Sequence, residues 1–293
     1  MNLDHPHLAP QAAALLSMTD ELRIKATRTE RWIGFARARH TLEHLQFLCD
    51  YPPSTRPPGL AIYAHSGMGK TMLVEKFRRA NPPIVHSFAG SEVVPVLSIS
   101  LSSKPSERRI YAQLLSSAGV DMRNAMTLVE MEVRALNLLK QLKVRVIVID
   151  EVHNLLAGSP REQRVILQLF RHLSNELKAS LVCLGIADAR EAIAGDTQLA
   201  RRLDQIVLPR WKADEEFQGL VVGILRSLPL RRPSALSAQS LRTLTRATDG
   251  ITAKVFCMLN ELAVEAVRSG SEQITDEDVE RWKPALEREA VFA

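Results

Sequence analysis

Residues 60–77 read LAIYAHSGMGKTMLVEKF, an apolar run followed by a glycine-containing loop and a segment with helical periodicity. Gly67 and Gly69 leave room for backbone N–H groups to wrap phosphate oxygens, and the helix that follows would point its positive end at the same charge. Lys70 would reach the outer phosphates of a nucleoside triphosphate, and Thr71 would ligate Mg²⁺. The full pattern begins with glycine, where this chain has Ala64, so the backbone there must not need a positive φ. The stretch predicts a nucleotide site, with His65, Ser66 and Met68 as the remaining loop positions.

A second acidic motif lies in VRVIVIDEVHNLL, residues 144–156. Two carboxylates at the end of a fully apolar strand are costly unless they serve a cation or a reaction. Asp150 is therefore predicted to hold Mg²⁺, and Glu151 to polarise the water that attacks the γ-phosphate. His153 and Asn154 follow directly, but imidazoles in such places are more often structural, and no catalytic role is predicted for them.

Around these motifs, short apolar runs alternate with helical periodicity, which predicts a parallel sheet covered on both faces. Residues 12–50 carry helical periodicity, the prolines of 51–59 form a stiff connector, and the sequence after Pro209 is helical. The predicted domains are an N-terminal helical extension with its connector (1–56), an α/β core (57–212) and an all-helical lid (213–293). The predicted strands are 60–64, 93–101, 144–150, 181–187 and 204–209.

Composition excludes several classes of protein. The 293 residues are 46% hydrophobic and 24% charged, which is enough apolar material for a core and rules out wholesale disorder. No apolar run approaches the roughly 18 residues of a membrane span, and the first residues lack the pattern of a secretion signal. Three scattered cysteines do not suit a disulfide framework or a cysteine-based zinc site. We expect a cytoplasmic protein without a membrane partner, whose net charge of +5 permits a polyanion partner without requiring one.

These motifs together resemble AAA+ ATPases, and more narrowly the TniB family of transposition regulators, which is related to the TnsC proteins. The similarity runs along almost the whole chain. The stretches LPRW and LPLRRPS make it more specific than the nucleotide motifs alone. It is carried by RTERWIGFARA (28–38), GMGKTMLVEKF (67–77), DEVHNLLAGSPREQR (150–164), DTQLARRL (196–203), LPRWKADEEF (208–217) and LPLRRPSAL (228–236).

The resemblance implies an ATPase that forms rings or filaments of identical subunits on duplex DNA when ATP and Mg²⁺ are bound. Such proteins bridge a target selector of the TniQ type to a DDE transposase, and hydrolysis disassembles the complex. Arginines in ring and filament NTPases reach a neighbour's γ-phosphate, and the family pattern favours Arg202 over Arg201 for this role. In DGITAK (249–254), Lys254 matches the basic second sensor of the lid.

One further departure from the family bears on the rate of hydrolysis. Ile186 stands where relatives more often have threonine, a polar first sensor that orients the water. Because isoleucine cannot donate a hydrogen bond, hydrolysis is expected to be slow, as suits a timer that keeps a filament on DNA. An unstimulated rate on the order of 10 per second would contradict this expectation.

The DNA-facing surface is predicted in the loop SLSSKPSERRIYAQ, residues 100–113. Lysine and arginine side chains that reach phosphates bind DNA without reading its sequence, and in TnsC proteins this region lines the central channel. The candidates are Lys104, Arg108, Arg109 and, more weakly, Arg123. No helix-turn-helix or zinc-finger spacing is present, so sequence-specific binding is not expected.

Two other functions stay open from the sequence. A helicase loader or replication initiator shares the same core, although initiators usually add a DNA-reading domain. An assembly scaffold that binds ATP and barely hydrolyses it would also fit Ile186.

Overall fold

The computed structural model describes residues 5–86, 91–120 and 126–283. By their packing these residues divide into two units. The helical unit comprises residues 1–36, 67–69 and 210–293, and the sheet unit comprises residues 37–66 and 70–209, each within the described ranges. The domain boundaries predicted at 56 and 212 stay a prediction.

A five-stranded parallel sheet forms the centre of the sheet unit, in the order β4-β5-β6-β1-β7. All six residues of β1 and of β6 are buried, because helices cover both faces of a parallel sheet. Two short antiparallel strands, which the sequence did not predict, form a separate pair. The strands are β1 (Gly59–Ala64), β2 (Ile84–His86), β3 (Ser91–Val93), β4 (Val96–Ser100), β5 (Val146–Asp150), β6 (Ser180–Gly185) and β7 (Leu203–Leu208).

The run predicted as one strand over 93–101 is wrong at its start, since it is divided between β3 and β4. Pro95 lies between the two and has no N–H to offer a ladder, while its carbonyl accepts from the backbone N–H groups of Arg145 and Val146. The other four predicted strands are confirmed, with ends shifted by one or two residues.

The helices of both units follow the chain. In the helical unit they are α1 (Pro10–Leu15), α2 (Asp20–Thr27), α10 (Glu215–Ser227), α11 (Ala238–Ala247), α12 (Thr252–Ser269) and α13 (Asp276–Arg281). In the sheet unit they are α3 (Ala36–Asp50), α4 (Lys70–Ala80), α5 (Glu107–Ser117), α6 (Leu128–Gln141), α7 (Pro160–Leu177), α8 (Ala189–Ala194) and α9 (Thr197–Ala200), with a 3-10 helix over Val152–Ala157.

The helical stretch predicted over 12–50 is wrong in its continuity, because three helices occupy it. Residues 28–35 are not helical, and contacts within the helical unit hold them. The Arg31 guanidinium donates to the Thr27 carbonyl and to Ser227 Oγ, and Phe35 packs edge-on against Trp211 with ring centroids 4.9 Å apart. Such tertiary contacts outweigh a local helical preference.

Alternation along the strands builds the core of the sheet unit. Ala61 and Tyr63 of β1 join the buried cluster that includes Leu114 of α5 and Phe170 of α7. Leu60 and Ile62, equally buried, point to the opposite face. In the part of the chain that the structure describes, no helix is long and apolar enough to cross a membrane.

Candidate nucleotide-binding site

The loop between β1 and α4 has the backbone shape of a phosphate cradle. Gly67 and Gly69 have φ angles of +78° and +91°, which only glycine adopts without strain. A Cβ at Gly67 would lie 2.9 Å from Cγ2 of Ile251, whereas the same position at Gly69 has no atom within 4 Å. Gly67 is therefore required by both its backbone angle and the lack of space, and Gly69 by its backbone angle alone.

Lys70 is the first residue of α4, and its ammonium group is buried where a cation is disfavoured. Its Nζ donates to the carbonyl oxygens of Ala64 at 2.9 Å and His65 at 3.4 Å. Burial lowers the pKa of Lys70, and the charges of Glu151 and Asp150 only partly oppose this. A buried cation at the positive end of a helix is stabilised when a polyanion arrives. The residues present fit a nucleoside triphosphate.

Thr71 and Asp150 bring two oxygen ligands together. Oγ1 of Thr71 donates to Oδ2 of Asp150 at 3.1 Å, and the backbone N–H of Glu151 donates to Oδ1 at 2.8 Å. Mg²⁺ is usually held by one or two protein oxygens, with phosphates and water completing its shell. Within the described ranges no group of three or more His, Cys, Asp or Glu side chains is arranged so that it could hold a metal ion by itself. The pair fits Mg²⁺ bound together with a nucleotide.

Glu151 follows β5 in a left-handed conformation, with φ of 58° and ψ of 39°. Its Oε2 lies 3.2 Å from Nε2 of His153, a residue for which the sequence predicted no role. Ile186, half-buried, comes directly after β6, the strand beside β5. The sequence offers one indication of this contact, which is that His153 follows Glu151 by two residues at the end of a strand.

The remaining loop residues differ in what they can offer. His65 and Ser66 are exposed, and Nδ1 of His65 lies 3.1 Å from the Ser66 carbonyl. The Met68 side chain is buried, so the group that this residue can offer to a phosphate is its backbone N–H. Within the helical unit, the carbonyl of Gly67 accepts from the backbone N–H of Ala253 at 2.9 Å.

The second-sensor lysine and the arginine predicted to reach a neighbour's γ-phosphate both have partners already. Lys254, exposed near the start of α12, donates to Oδ2 of Asp249 at 2.7 Å. Arg202 is half-buried and donates to Oδ1 of Asn175 on α7 at 2.7 Å, whereas Arg201 is exposed. Burial, followed by the charges of Arg56 and Arg171, lowers the pKa of Arg202. The Arg202 guanidinium is thus held in one direction, and that of Arg201 faces solvent.

The predicted DNA contacts follow β4, an edge strand of the sheet. Lys104 and Arg108 are exposed. Arg109 is exposed as well, and its guanidinium donates to the Lys104 carbonyl at 2.9 Å, so this side chain also shapes the loop. Ser106 caps α5 by accepting from the Arg109 backbone N–H. Arg123 lies outside the described residues.

Comparison with known proteins gives the family. The family described as "Bacterial TniB protein" matches residues 23–213, well over half of the chain. The chain belongs to the TniB family. No curated protein matches this TniB sequence. The family match confirms the resemblance carried by the motifs.

Solved structures similar to this TniB protein share its fold. One is the Aeropyrum pernix ORC1 protein in complex with DNA, with a TM-score of 0.61 and 17% identity over 87% of this chain and 67% of that one. Another is Cdc6p from Pyrobaculum aerophilum, with a TM-score of 0.61 and 15% identity over 89% and 69%. A third, the Aeropyrum pernix ORC2 protein with ADPNP and ADP, has a TM-score of 0.59 and 15% identity over 87% and 70%. The TniB chain has the P-loop AAA+ fold that the sequence predicted.

Proposed function

We propose that this TniB protein is an ATPase that regulates DNA transposition. With ATP bound, it assembles as a ring or filament of identical subunits on duplex DNA, without sequence specificity. It bridges a TniQ-like target selector to a DDE transposase, and hydrolysis releases the assembly. The observation that carries the proposal is the buried ammonium of Lys70 beside the Thr71–Asp150 pair, in a chain of this family.

Each residue of the site has a distinct task in this proposal. Backbone N–H groups of residues 65–69 and the Lys70 ammonium bind the phosphates. Thr71 and Asp150 hold Mg²⁺, which when bound offsets the negative charge that develops on the phosphate oxygens. Glu151 orients and polarises the attacking water. Lys254 contacts the phosphates from the lid, and Arg202 reaches the nucleotide of the neighbouring subunit.

DNA binding in this proposal uses the loop after β4. Lys104 and Arg108 are exposed there, and the first backbone N–H groups of α5 are a further source of donors for phosphate oxygens. Among the similar structures, the ORC1 protein is in complex with DNA, and the ORC2 protein is in complexes with ADPNP and ADP. These likenesses support nucleic acid and nucleotide as ligands of this chain.

The test is binding to a random duplex without nucleotide, with ADP, and with a slowly hydrolysed ATP analogue, with electron microscopy of the same mixtures. We expect binding only with the analogue, in rings or filaments. Replacing Lys104 and Arg108 by alanine would reduce the slope of log affinity against log salt by about 1 for each phosphate that the protein no longer neutralises. Lys140→Ala, which removes an exposed lysine paired with Glu176 on α7, is the matched control. The absence of DNA binding in every nucleotide state would reject the transposition proposal.

Two alternatives make different predictions. The likeness to ORC and Cdc6 structures favours a replication initiator or helicase loader as the second candidate. Such a protein would bind origin DNA or a helicase rather than a transposase. The apolar Ile186 favours a scaffold with little hydrolysis. Glu151→Gln separates a scaffold from an ATPase, because an ATPase would become trapped on DNA and a scaffold would hardly change.

A further inference from the structure

Glu151 has a polar partner in its own turn of chain. Nε2 of His153 lies 3.2 Å from Oε2 of Glu151, and both residues stand at the start of the 3-10 helix that follows β5. The left-handed backbone of Glu151 turns the chain sharply at this point. The carboxylate is 42% exposed and the imidazole 24%, so the imidazole is the more firmly enclosed of the two.

The other side of the imidazole is enclosed by protein. Nδ1 of His153 is buried and has no hydrogen-bond partner among the described residues. A Cβ placed on Gly185, the last residue of β6, would lie 3.7 Å from Nδ1, so the ring rests against the end of that strand. A carboxylate can only accept hydrogen bonds. A ring nitrogen 3.2 Å from a carboxylate oxygen carries a hydrogen, because two facing lone pairs would repel.

The sheet offers Glu151 no equivalent partner at the end of β6. Ile186, the first residue after that strand, has an apolar side chain and cannot donate to a carboxylate or to a water. The amide of the neighbouring Asn154 is directed at β4 and its following loop, since one of its two N–H groups donates to the Leu101 carbonyl at 2.8 Å. In the described part of the chain, His153 is thus the polar side chain that contacts the Glu151 carboxylate within the same turn.

We propose that His153 is a positioning residue that orients the Glu151 carboxylate for its work on the attacking water. This inference rests on the proposed ATPase function. A free glutamate side chain samples several rotamers, and an imidazole in contact with one carboxylate oxygen selects among them. Loss of this restraint lowers the turnover number and leaves the affinity for nucleotide unchanged, because His153 acts through Glu151 alone.

The first test needs no nucleotide. In protein labelled with ¹⁵N-histidine, the ring of His153 should show the Nε2–H tautomer, and Glu151→Asn should shift or redistribute it. Asparagine tolerates the left-handed backbone of residue 151 but is too short to keep the contact. His153→Gln assigns the signals. If the ring signals of His153 were the same in the wild-type protein and in Glu151→Asn, the inference would be overturned.

The second test is kinetic, with duplex DNA present. His153→Ala should lower kcat for ATP about tenfold, with KM and the Kd of a slowly hydrolysed analogue unchanged. His153→Gln, whose amide still donates, should restore most of the rate. The control is His172→Ala, which breaks a contact of the same length between α7 and α6, with Nε2 of His172 3.2 Å from Oε1 of Glu132.

The outcomes separate this inference from the function on which it rests. A rise in kcat in His153→Ala, or a change in its KM equal to that in kcat, would overturn the positioning role. So would a His153→Gln variant that does not recover the rate. None of these outcomes would contradict the proposed ATPase function. A wild-type protein that hydrolyses no ATP would instead reject the proposed function. The histidine spectra would still decide whether His153 restrains Glu151.

Discussion

Thr71 and Asp150 lie 79 positions apart in the chain, yet the threonine hydroxyl donates to the aspartate carboxylate across 3.1 Å. The two residues come from the start of α4 and the end of β5, and within the sheet order β6 separates β5 from β1, the strand that leads into α4. The ligand pair is therefore already assembled by the fold. A metal ion that enters with a nucleotide would find both oxygens in place.

Thr71→Ala should weaken ATP binding about tenfold in Mg²⁺ and have little effect in EDTA, because the hydroxyl acts on the metal. Fluorescent ATP titrations with and without Mg²⁺ measure both values. Ser116→Ala, which removes an exposed hydroxyl from α5, is the control. Equal weakening in the two buffers would show that Thr71 contacts the phosphates directly or supports the loop.

The strands of the sheet could be read from the sequence because buried parallel strands are continuous apolar runs. The breaks in the N-terminal helices could not be read from it, since Phe35 and Arg31 are held by Trp211 and Ser227, which lie far along the chain. The short β2–β3 pair was missed for a different reason. Strands of three residues are too brief to show an alternating pattern.

Some features of the candidate site could likewise be predicted from the sequence, and others could not. Lys70, Thr71 and Asp150 stand in motifs whose spacing fixes their geometry locally, at a strand end or a helix start. The partner of Arg202 depends on where Asn175 lies in space, which no local pattern encodes, whereas Lys254 pairs with Asp249 in its own segment. The contact between His153 and Glu151 is local but needs a left-handed residue, and a glutamate there is unusual.

Gly250 should be far less replaceable than Gly270, although both have positive φ angles of 63° and 75°. A Cβ at Gly250 would lie 2.3 Å from the Trp211 carbonyl oxygen, whereas Gly270 has open space. Gly250→Ala should destabilise the helical unit by about 3 kcal/mol or more, and Gly270→Ala by about 1 kcal/mol. Urea titration followed by tryptophan fluorescence suits the comparison, because all three tryptophans lie in this unit. Equal losses would show that the backbone near Trp211 yields to a methyl group.

A buried ion cluster in the helical unit should carry much of its stability. Arg23 is fully buried and donates to Glu272 Oε1 at 2.9 Å and, through Nη2, to the Pro229 carbonyl at 2.7 Å. Arg23→Met should cost about 3 kcal/mol, since it leaves Glu272 buried with one partner fewer. The same urea titration measures the loss. Arg242→Met, an exposed change on α11, should cost less than about 0.5 kcal/mol.

The same cluster predicts a pH dependence of unfolding. Burial alone would raise the pKa of Glu272, but hydrogen bonds from Arg23 and from the Arg231 backbone N–H hold it below the ordinary 4.5. A carboxyl whose pKa is lowered by folding stabilises the protein above its unfolded pKa and loses that effect as pH falls through the folded value. The difference in stability between wild type and Glu272→Gln should therefore be largest near pH 7 and shrink below about pH 4.5. A difference that grows on acidification would contradict this assignment.

Arg202 should contact the nucleotide bound by a neighbouring subunit. ATP hydrolysis by a mixture of two inactive variants tests this. Arg202→Ala and Lys70→Ala should each abolish most ATP hydrolysis, because an arginine of this kind contributes about 10³-fold or more. Mixed together on DNA, the two variants should recover part of the rate, since an intact Arg202 on one subunit then faces an intact Lys70 site on the next. Arg201→Ala, the exposed neighbour, is the control and should retain wild-type activity. Loss of activity in Arg201→Ala with full activity in Arg202→Ala would assign the role to Arg201. The Asn175 contact of Arg202 would then hold the guanidinium in the fold and not at a subunit boundary.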